Sequence, residues 1–319
     1  MAIRPESALD YYVLDVFTRN RLEGNALAVV LNPGHLTPET MLRIARETNL
    51  SETTFVQRRA PELERAEGVL VRIFTTQEEL PFAGHPTLGT ASLLRDLAPE
   101  CVQQDTIKLA LQVGSVPVRF SATEGQQDAW PVYGEMTQKD PVFGEFLDPA
   151  AVAELTGLLI TDLSPESPAQ VVSTGTAFAI VRLRSAEALE RLRVRQDEAF
   201  AFLQARGARW FYVLGPDAHS QPPEPQWRAR MQFNGGEDPA TGSAAGCAIA
   251  YLVRHGAVPS GVTIHLRQGV EIARPSDLYL SARLSTADKT ISEPAAPLVT
   301  QVRVAGSTIV VAKGQLFLP

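Results

Sequence analysis

Hydrophobic positions in this chain come in short runs broken by glycine and polar turns, and at two places they fill a helical segment on nearly every side. YYVLDVFT and GNALAVVL read as two short strands rich in Val, Leu and aromatic residues, separated by a polar, hairpin-like break at 19–24. TPETMLRIARETN has amphipathic helical spacing, with Thr37 placed to cap its start and Glu39 early in its first turn. SETTFVQRR and GVLVRIFTT are strand-like again. LPFAGHPTLGTASLLRDL is a glycine turn that opens an apolar helix, and KLALQVGSVPVRFSA adds further strand.

Past a soft polar stretch at 124–128 the pattern resumes. WPVYGEM reads as strand, 148–156 as helix, AQVVSTGTAFAIVRL as strand and EALERLRVRQDEAFAFLQARG as helical segments. RWFYVLG and QWRARMQF are strands; in the second, Trp227, Ala229, Met231 and Phe233 alternate with Gln226, Arg228, Arg230 and Gln232. NGGEDPATGSAAGCAIAYLV then leads into a second apolar helix after Gly242, and several short strands are expected over 262–318. The two halves rhyme, with the glycine turns at Gly84 and Gly242 nearly half the chain apart. A helix without a polar face must be buried on every side. Strands before and after it in each half predict an α+β fold of two similar domains, each a mostly antiparallel or mixed sheet curled around one central helix. The expected divisions are 1–128, 129–305, and a closing strand at 306–319 that packs back on the first domain. A doubly wound dinucleotide fold is disfavoured, because no G-x-G-x-x-G follows a first strand.

At 319 residues the chain has room for two ordinary domains. Apolar residues make up 45% and charged residues 20%, the balance of a folded protein rather than a disordered one. Twenty-nine basic against 36 acidic residues give a net charge of −7, and no Lys/Arg cluster stands out, which argues against a nucleic-acid or anionic-membrane partner. The start, MAIRPESALD, lacks the apolar core of a secretory signal. The longest apolar run, 244–253, falls well short of the ~20 residues of a bilayer span. Cys101 and Cys247 sit in unrelated surroundings and at no metal-ligand spacing, so the expectation is a reducing, cytoplasmic setting and no metal.

Three places carry candidate chemistry. At the first, Glu237-Asp238-Pro239 precedes Thr241-Gly242-Ser243. Pro suits a first helical position and Asp the cap before it, so one reading is that Asp238 simply caps the helix. The other is that bare N–H groups at Gly242 and Ser243 form an anion site at the helix mouth, open to a substrate carboxylate. The second place, Phe82-Ala83-Gly84-His85-Pro86, repeats the device, with Pro86 as helix starter and His85 either a hydrogen-bonded loop residue or a group that shares a proton with a substrate. Two mouths facing one another across a domain cleft would make one pocket. The third is Glu52, in Ser51-Glu52-Thr53-Thr54, either a solvated acid at a strand start or a carboxyl desolvated enough to exchange protons near neutral pH. His35, His219, His255 and His265 stand alone, Arg228 and Arg230 read as a solvated strand face, and there is no P-loop, G-x-S-x-G elbow or C-x-x-C.

Taken in order, SETTFV, LPFAGHPTLGTA and EDPATGSAAG resemble the PhzF-like family of phenazine biosynthesis, a branch of the diaminopimelate-epimerase fold. DVFT…GNALAVVL resembles the family's opening and VVSTGTAFAIVRL its second-domain strand, so the likeness covers nearly the whole chain. It implies two barrel-like domains with the active site in the cleft between them, and isomerisation of a small cyclic, carboxylate-bearing substrate without a cofactor. By motif, it implies Glu52 as the acid/base that moves a proton between substrate carbons. His85 and Asp238 would hold and polarise the substrate, and Ser51, Gly84, Gly242 and Ser243 would bind it. It also suggests a homodimer. The epimerase cousins carry a cysteine in each glycine turn, whereas here the turns read F-A-G-H and P-A-T-G-S. Both cysteines are therefore read as packing residues, which favours a proton shift by one carboxyl over two-thiol racemisation. Two alternatives stay open: a small-molecule-binding or regulatory protein without turnover, and an amino-acid epimerase using non-cysteine groups such as Asp238 or His85.

Overall fold

The computed structural model describes residues 8–121, 130–217, 226–233, 235–285 and 298–318. The soft stretch 124–128 and His219 lie outside them. The chain divides into two compact units, Met1–Met136 with Ala305–Pro319, and Thr137–Val304.

In the first unit, β1 (Ala8–Val16) and β2 (Asn25–Leu31) form the antiparallel hairpin that the polar break at 19–24 predicts. Helix α1 (Pro38–Thr48) makes the crossover that a parallel pair requires, so β3 (Glu52–Gln57) lies parallel to β2 with Leu27 opposite Glu52. Thr37 caps α1 as expected, accepting from the Thr40 N–H. The short helix α2 (Pro61–Glu67) precedes β4 (Val69–Phe74), and sequence periodicity gives no sign of it: seven residues show barely two turns. After the two-residue β5 (Glu79–Leu80), helix α3 (Gly84–Leu97) crosses over to β6 (Thr106–Leu111), parallel to β4. Strands β7 (Gly114–Phe120) and β8 (Val132–Thr137) continue the sheet antiparallel. The C-terminal strand, Leu298–Phe317, pairs with β1 from Thr308 to Phe317 and neighbours β8, closing a barrel of eight strands. At twenty residues it is longer than the short strands expected over 262–318. The pairing of β8 with β7 carries the first unit on to Met136 instead of stopping at 128.

Helix α3 fills this barrel, touching β1, β2, β3, β6 and β7 and buried from Gly84 to Leu94. It is not wholly apolar, and two of its buried hydroxyls bond carbonyls of the preceding turn. Thr87 Oγ1 donates to the Ala83 carbonyl (2.7 Å) and Ser92 Oγ to that of Leu88 (2.8 Å).

The second unit repeats the plan with an open sheet. Its strands run β9 (Val142–Phe146), β10 (Gln170–Ser173), β11 (Ala177–Arg182), β12 (Phe211–Pro216) and β13 (Gln226–Arg230). Beyond a small hairpin of β14 (Gln232–Phe233) and β15 (Gly236–Glu237), the order continues from β13 through β16 (Ile264–Gln268) to β17 (Ser276–Ser285). Helices α4 (Pro149–Thr156) and α5 (Gln196–Gln204) pack together over a cluster that includes Leu155, Leu189, Leu203 and Phe211. Helix α6 (Gly242–Arg254) is buried from Gly242 to Val253 and touches β10, β11 and β17, strands far apart in the sheet order, so the sheet curls around it.

Candidate active site

Glu52 is the first residue of β3, reached from α1 through Asn49 in the left-handed conformation and an exposed Ser51. Strand alternation puts Glu52 on the face of Thr54, whose Oγ1 lies 2.9 Å from Thr90 Oγ1 on α3. Thr53, on the other face, meets Thr48 Oγ1 at 2.7 Å. Glu52 therefore faces the barrel interior at the mouth of α3, where His85 is the second helical residue. Glu52 Oε2 and His85 Nε2 are 3.4 Å apart, with the side chains 15% and 4% exposed. Glu52 is thus partly buried at the barrel end rather than fully solvated.

Burial pushes the His85 pKa down to about 3, and a hydrogen bond with the Ala26 backbone only partly offsets this. The contact with Glu52 is thus made by a neutral imidazole near pH 7, not by an ion pair. The other ring nitrogen, Nδ1, lies 3.2 Å from Nδ2 of the buried Asn25. Sequence reading counts Asn25 only within a strand; its single signal is a polar residue in an otherwise apolar run. Helix α3 begins at Gly84, two residues before Pro86, and Ala83 offers no side chain to cap it. Pro86 has no N–H and Thr87 N–H bonds the Ala83 carbonyl, so Gly84 and His85 supply the helix-terminal donors without intrahelical partners.

In the second unit Asp238 is not the helix cap. Helix α6 starts at Gly242 with Thr241 at the N-cap position, and its first intrahelical bond runs from Ala245 N–H to the Thr241 carbonyl (2.9 Å). Asp238, 8% exposed, instead accepts a 2.6 Å hydrogen bond from Thr241 Oγ1. Gly242 and Ser243, both buried, occupy the first turn. Its geometry is held from behind by Gln138, which donates to the Gly242 carbonyl (2.8 Å) and accepts from Thr174 Oγ1 (2.6 Å).

The neighbouring acid has a different task. Arg230 grips Glu237 with Nε and Nη2 at 2.8 and 2.6 Å, a pair whose side chains are 6% and 7% exposed. This corrects the expectation of a solvated arginine face: the β14–β15 hairpin folds Glu237 back over β13, and Arg228, on the other side of the strand's alternation from Trp227, pairs with Glu271. Both cysteines are free and buried, and burial pushes each thiol up to about 11. Cys247 lies in the second turn of α6 against Thr174, so neither sulfur is a ready thiolate.

Each unit is thus a sheet curled around a buried helix, with a carboxyl at the helix mouth of the first, a fold shared with epimerase-like proteins. Residues 14–314 match the phenazine biosynthesis-like family (PhzC/PhzF), and the chain belongs to it. It is 35% identical to trans-2,3-dihydro-3-hydroxyanthranilate isomerase of Pseudomonas aeruginosa, with 97% of this chain and 99% of that one covered. It is 31% identical to an uncharacterized isomerase of Mesorhizobium japonicum, again with 97% and 99% covered. Among solved structures, a Pseudomonas aeruginosa protein titled a "Predicted Epimerase" superposes with a TM-score of 0.78 at 33% identity, covering 98% of this chain and all of that one. A Bacillus anthracis protein of the PhzF family gives 0.80 at 22% identity, covering 98% and 99%. Among the described residues no helix is long and apolar enough to cross a membrane.

Proposed function

We propose that this isomerase moves a proton between carbons of a small, cyclic, carboxylate-bearing substrate, without a cofactor and with Glu52 as the general acid/base. The observation that carries the reading is the Glu52 carboxyl at 3.4 Å from a buried His85, beside uncapped helix donors. In the proposed step the Glu52 carboxylate takes a C–H proton, and the electron pair shifts along the conjugated carbon frame. The neutral carboxylic acid then returns the proton to another carbon, so no atom is gained or lost. His85, uncharged, supplies a polar contact that does not neutralise Glu52 as a cation would. The N–H groups of Gly84 and His85, and those at Gly242 and Ser243, suit the substrate's anionic oxygens. Asp238 would hold a hydroxyl or ammonium group of the same substrate.

The relatives' substrate, trans-2,3-dihydro-3-hydroxyanthranilate, is the compound to try first. Incubated in heavy water, wild type should incorporate solvent deuterium into the product, and Glu52→Gln should lose the reaction by about 100-fold or more. Equal incorporation by both proteins removes Glu52 from the mechanism. Binding of the compound by calorimetry with no exchange in wild type would instead indicate a binding protein. The relative titled an epimerase favours a second reading, inversion at one carbon. Chiral chromatography of the recovered substrate separates the two, since a proton shift yields a constitutional isomer and no mirror-image substrate.

A further inference from the structure

Behind Asp238 lies Gln268, the last residue of β16 and fully buried. Its amide makes four hydrogen bonds. Nε2 donates to the Asp238 carbonyl (2.8 Å) and to Thr241 Oγ1 (3.0 Å). Oε1 accepts from Thr241 N–H (3.1 Å) and from the Tyr212 hydroxyl (2.9 Å). The orientation of this amide is fixed by its partners: a backbone carbonyl can only accept and a backbone N–H can only donate, so oxygen and nitrogen cannot be exchanged. The consequence passes to Thr241. With its oxygen receiving the Gln268 N–H, the hydroxyl has one proton left, and that proton points to Asp238 Oδ2 at 2.6 Å.

The next residue makes the approach possible. Gly269 has φ +79°, and a Cβ there would sit 2.7 Å from the Pro239 carbonyl oxygen and 2.3 Å from that of Arg274. The Asp238–Thr241 turn thus rests directly on the end of β16, with Tyr212 on β12 holding the amide from the far side.

We propose that Gln268 is the positioning residue of the Asp238 site: its amide turns the Thr241 hydroxyl into a one-way donor that fixes the Asp238 carboxylate beside the mouth of α6. The inference rests on the reading of Asp238 as a substrate-holding group. It acts through Thr241 and leaves proton transfer at Glu52 alone, so its loss weakens substrate binding without slowing the chemistry.

Steady-state kinetics with trans-2,3-dihydro-3-hydroxyanthranilate test this on three variants. Gln268→Met conserves volume and removes all four bonds, Gln268→Glu removes the two donors, and Tyr212→Phe deletes one hydroxyl. For the two Gln268 variants KM should rise about tenfold or more with kcat kept within about threefold, and for Tyr212→Phe KM should rise about threefold. A residue needed only for folding behaves differently, lowering the active fraction and hence apparent kcat with KM unchanged; that result overturns the proposal. Asp238→Asn separates the two levels of argument. If it raises KM while the Gln268 variants do not, positioning by Gln268 is wrong and the functional reading stands. If it changes neither constant, the reading of Asp238 falls and Gln268 has nothing to position. A crystal structure of Gln268→Met gives a readout free of substrate: the Thr241 Oγ1 to Asp238 Oδ2 contact should open beyond hydrogen-bond reach, and its retention at the original length sinks the idea.

Discussion

At His85 the imidazole is so deeply buried that its pKa falls from 6.5 to about 3, and the ring beside Glu52 is uncharged near pH 7. The same shift acts on stability. Between the two values the unfolded chain binds a proton at this position that the folded chain refuses, so the contribution of His85 is complete above the unfolded value and drains away on acidification toward the folded one. The expected slope is at most about 1.4 kcal/mol per pH unit for one proton. Urea unfolding of wild type and His85→Gln at a series of pH values from about 6.5 down to 4 checks it, because every other titrating group is common to both. Wild type should lose stability more steeply than the variant; parallel curves would mean the ring is charged inside the fold. His85 was legible as a candidate because it stands in a glycine turn that opens an apolar helix, whereas Glu52, between Ser51 and Thr53, stood apart from the other acids only through the resemblance to the PhzF-like family. Asn25 was not, since its role depends on a helix sixty positions later in the chain.

At the scale of elements, the mouths of α3 and α6 show how far periodicity reaches. Both helices are evident from runs without a polar face, and the structure buries both. Their starting points are not evident. Asp238-Pro239 has the local chemistry of a cap and first helical residue, yet Gln268, from a strand thirty residues on, captures the Asp238 carbonyl and the Thr241 N–H and delays the helix to Gly242. Tertiary hydrogen bonds outweigh a local propensity of about 1 kcal/mol. Gly246 in α6 offers a test of this kind of override. In an ordinary helix interior Gly→Ala stabilises by about 1 kcal/mol. Here the new Cβ would lie 1.9 Å from Gln138 Oε1, whose amide is tied to Gly242 and Thr174. Moving it forfeits two buried hydrogen bonds at about 1 kcal/mol each, so Gly246→Ala should destabilise by about 1–2 kcal/mol in urea unfolding. In a Gln138→Ala background the sign should reverse to a gain of up to about 1 kcal/mol. A substitution that stabilises in both backgrounds would show that Gln138 moves aside freely.

For the molecule as a whole, the repeated order of strands, glycine turn and buried helix was enough to give the α+β class with a wrapped helix in each half. What the pattern could not supply was pairing between distant segments. WPVYGEM reads as the opening of the second half because it follows a polar stretch, but its pairing with β7 assigns it to the first unit. The C-terminal strand shows the same limit more strongly, since its partner β1 lies at the other end of the chain. That pairing also has the largest consequence. Without residues 305–319, β1 loses the strand it pairs with from Ala8 to Val16 and becomes an edge, and the bonds from Thr18 N–H to Ser307, Arg21 to Val310 and Ser92 to Thr308 are lost. Helix α3 and the Glu52–His85 contact depend on a closed barrel for their burial. A chain ending at Val304 should therefore lose amide-exchange protection across β1 and β2 together with the deuterium incorporation proposed to depend on Glu52, while β12 and β16 of the second unit stay protected. Adding a peptide of residues 305–319 should restore both signals. If the shortened chain keeps native protection in β1, the barrel does not need its closing strand, and the register seen from Ala8 to Val16 is decoration rather than support.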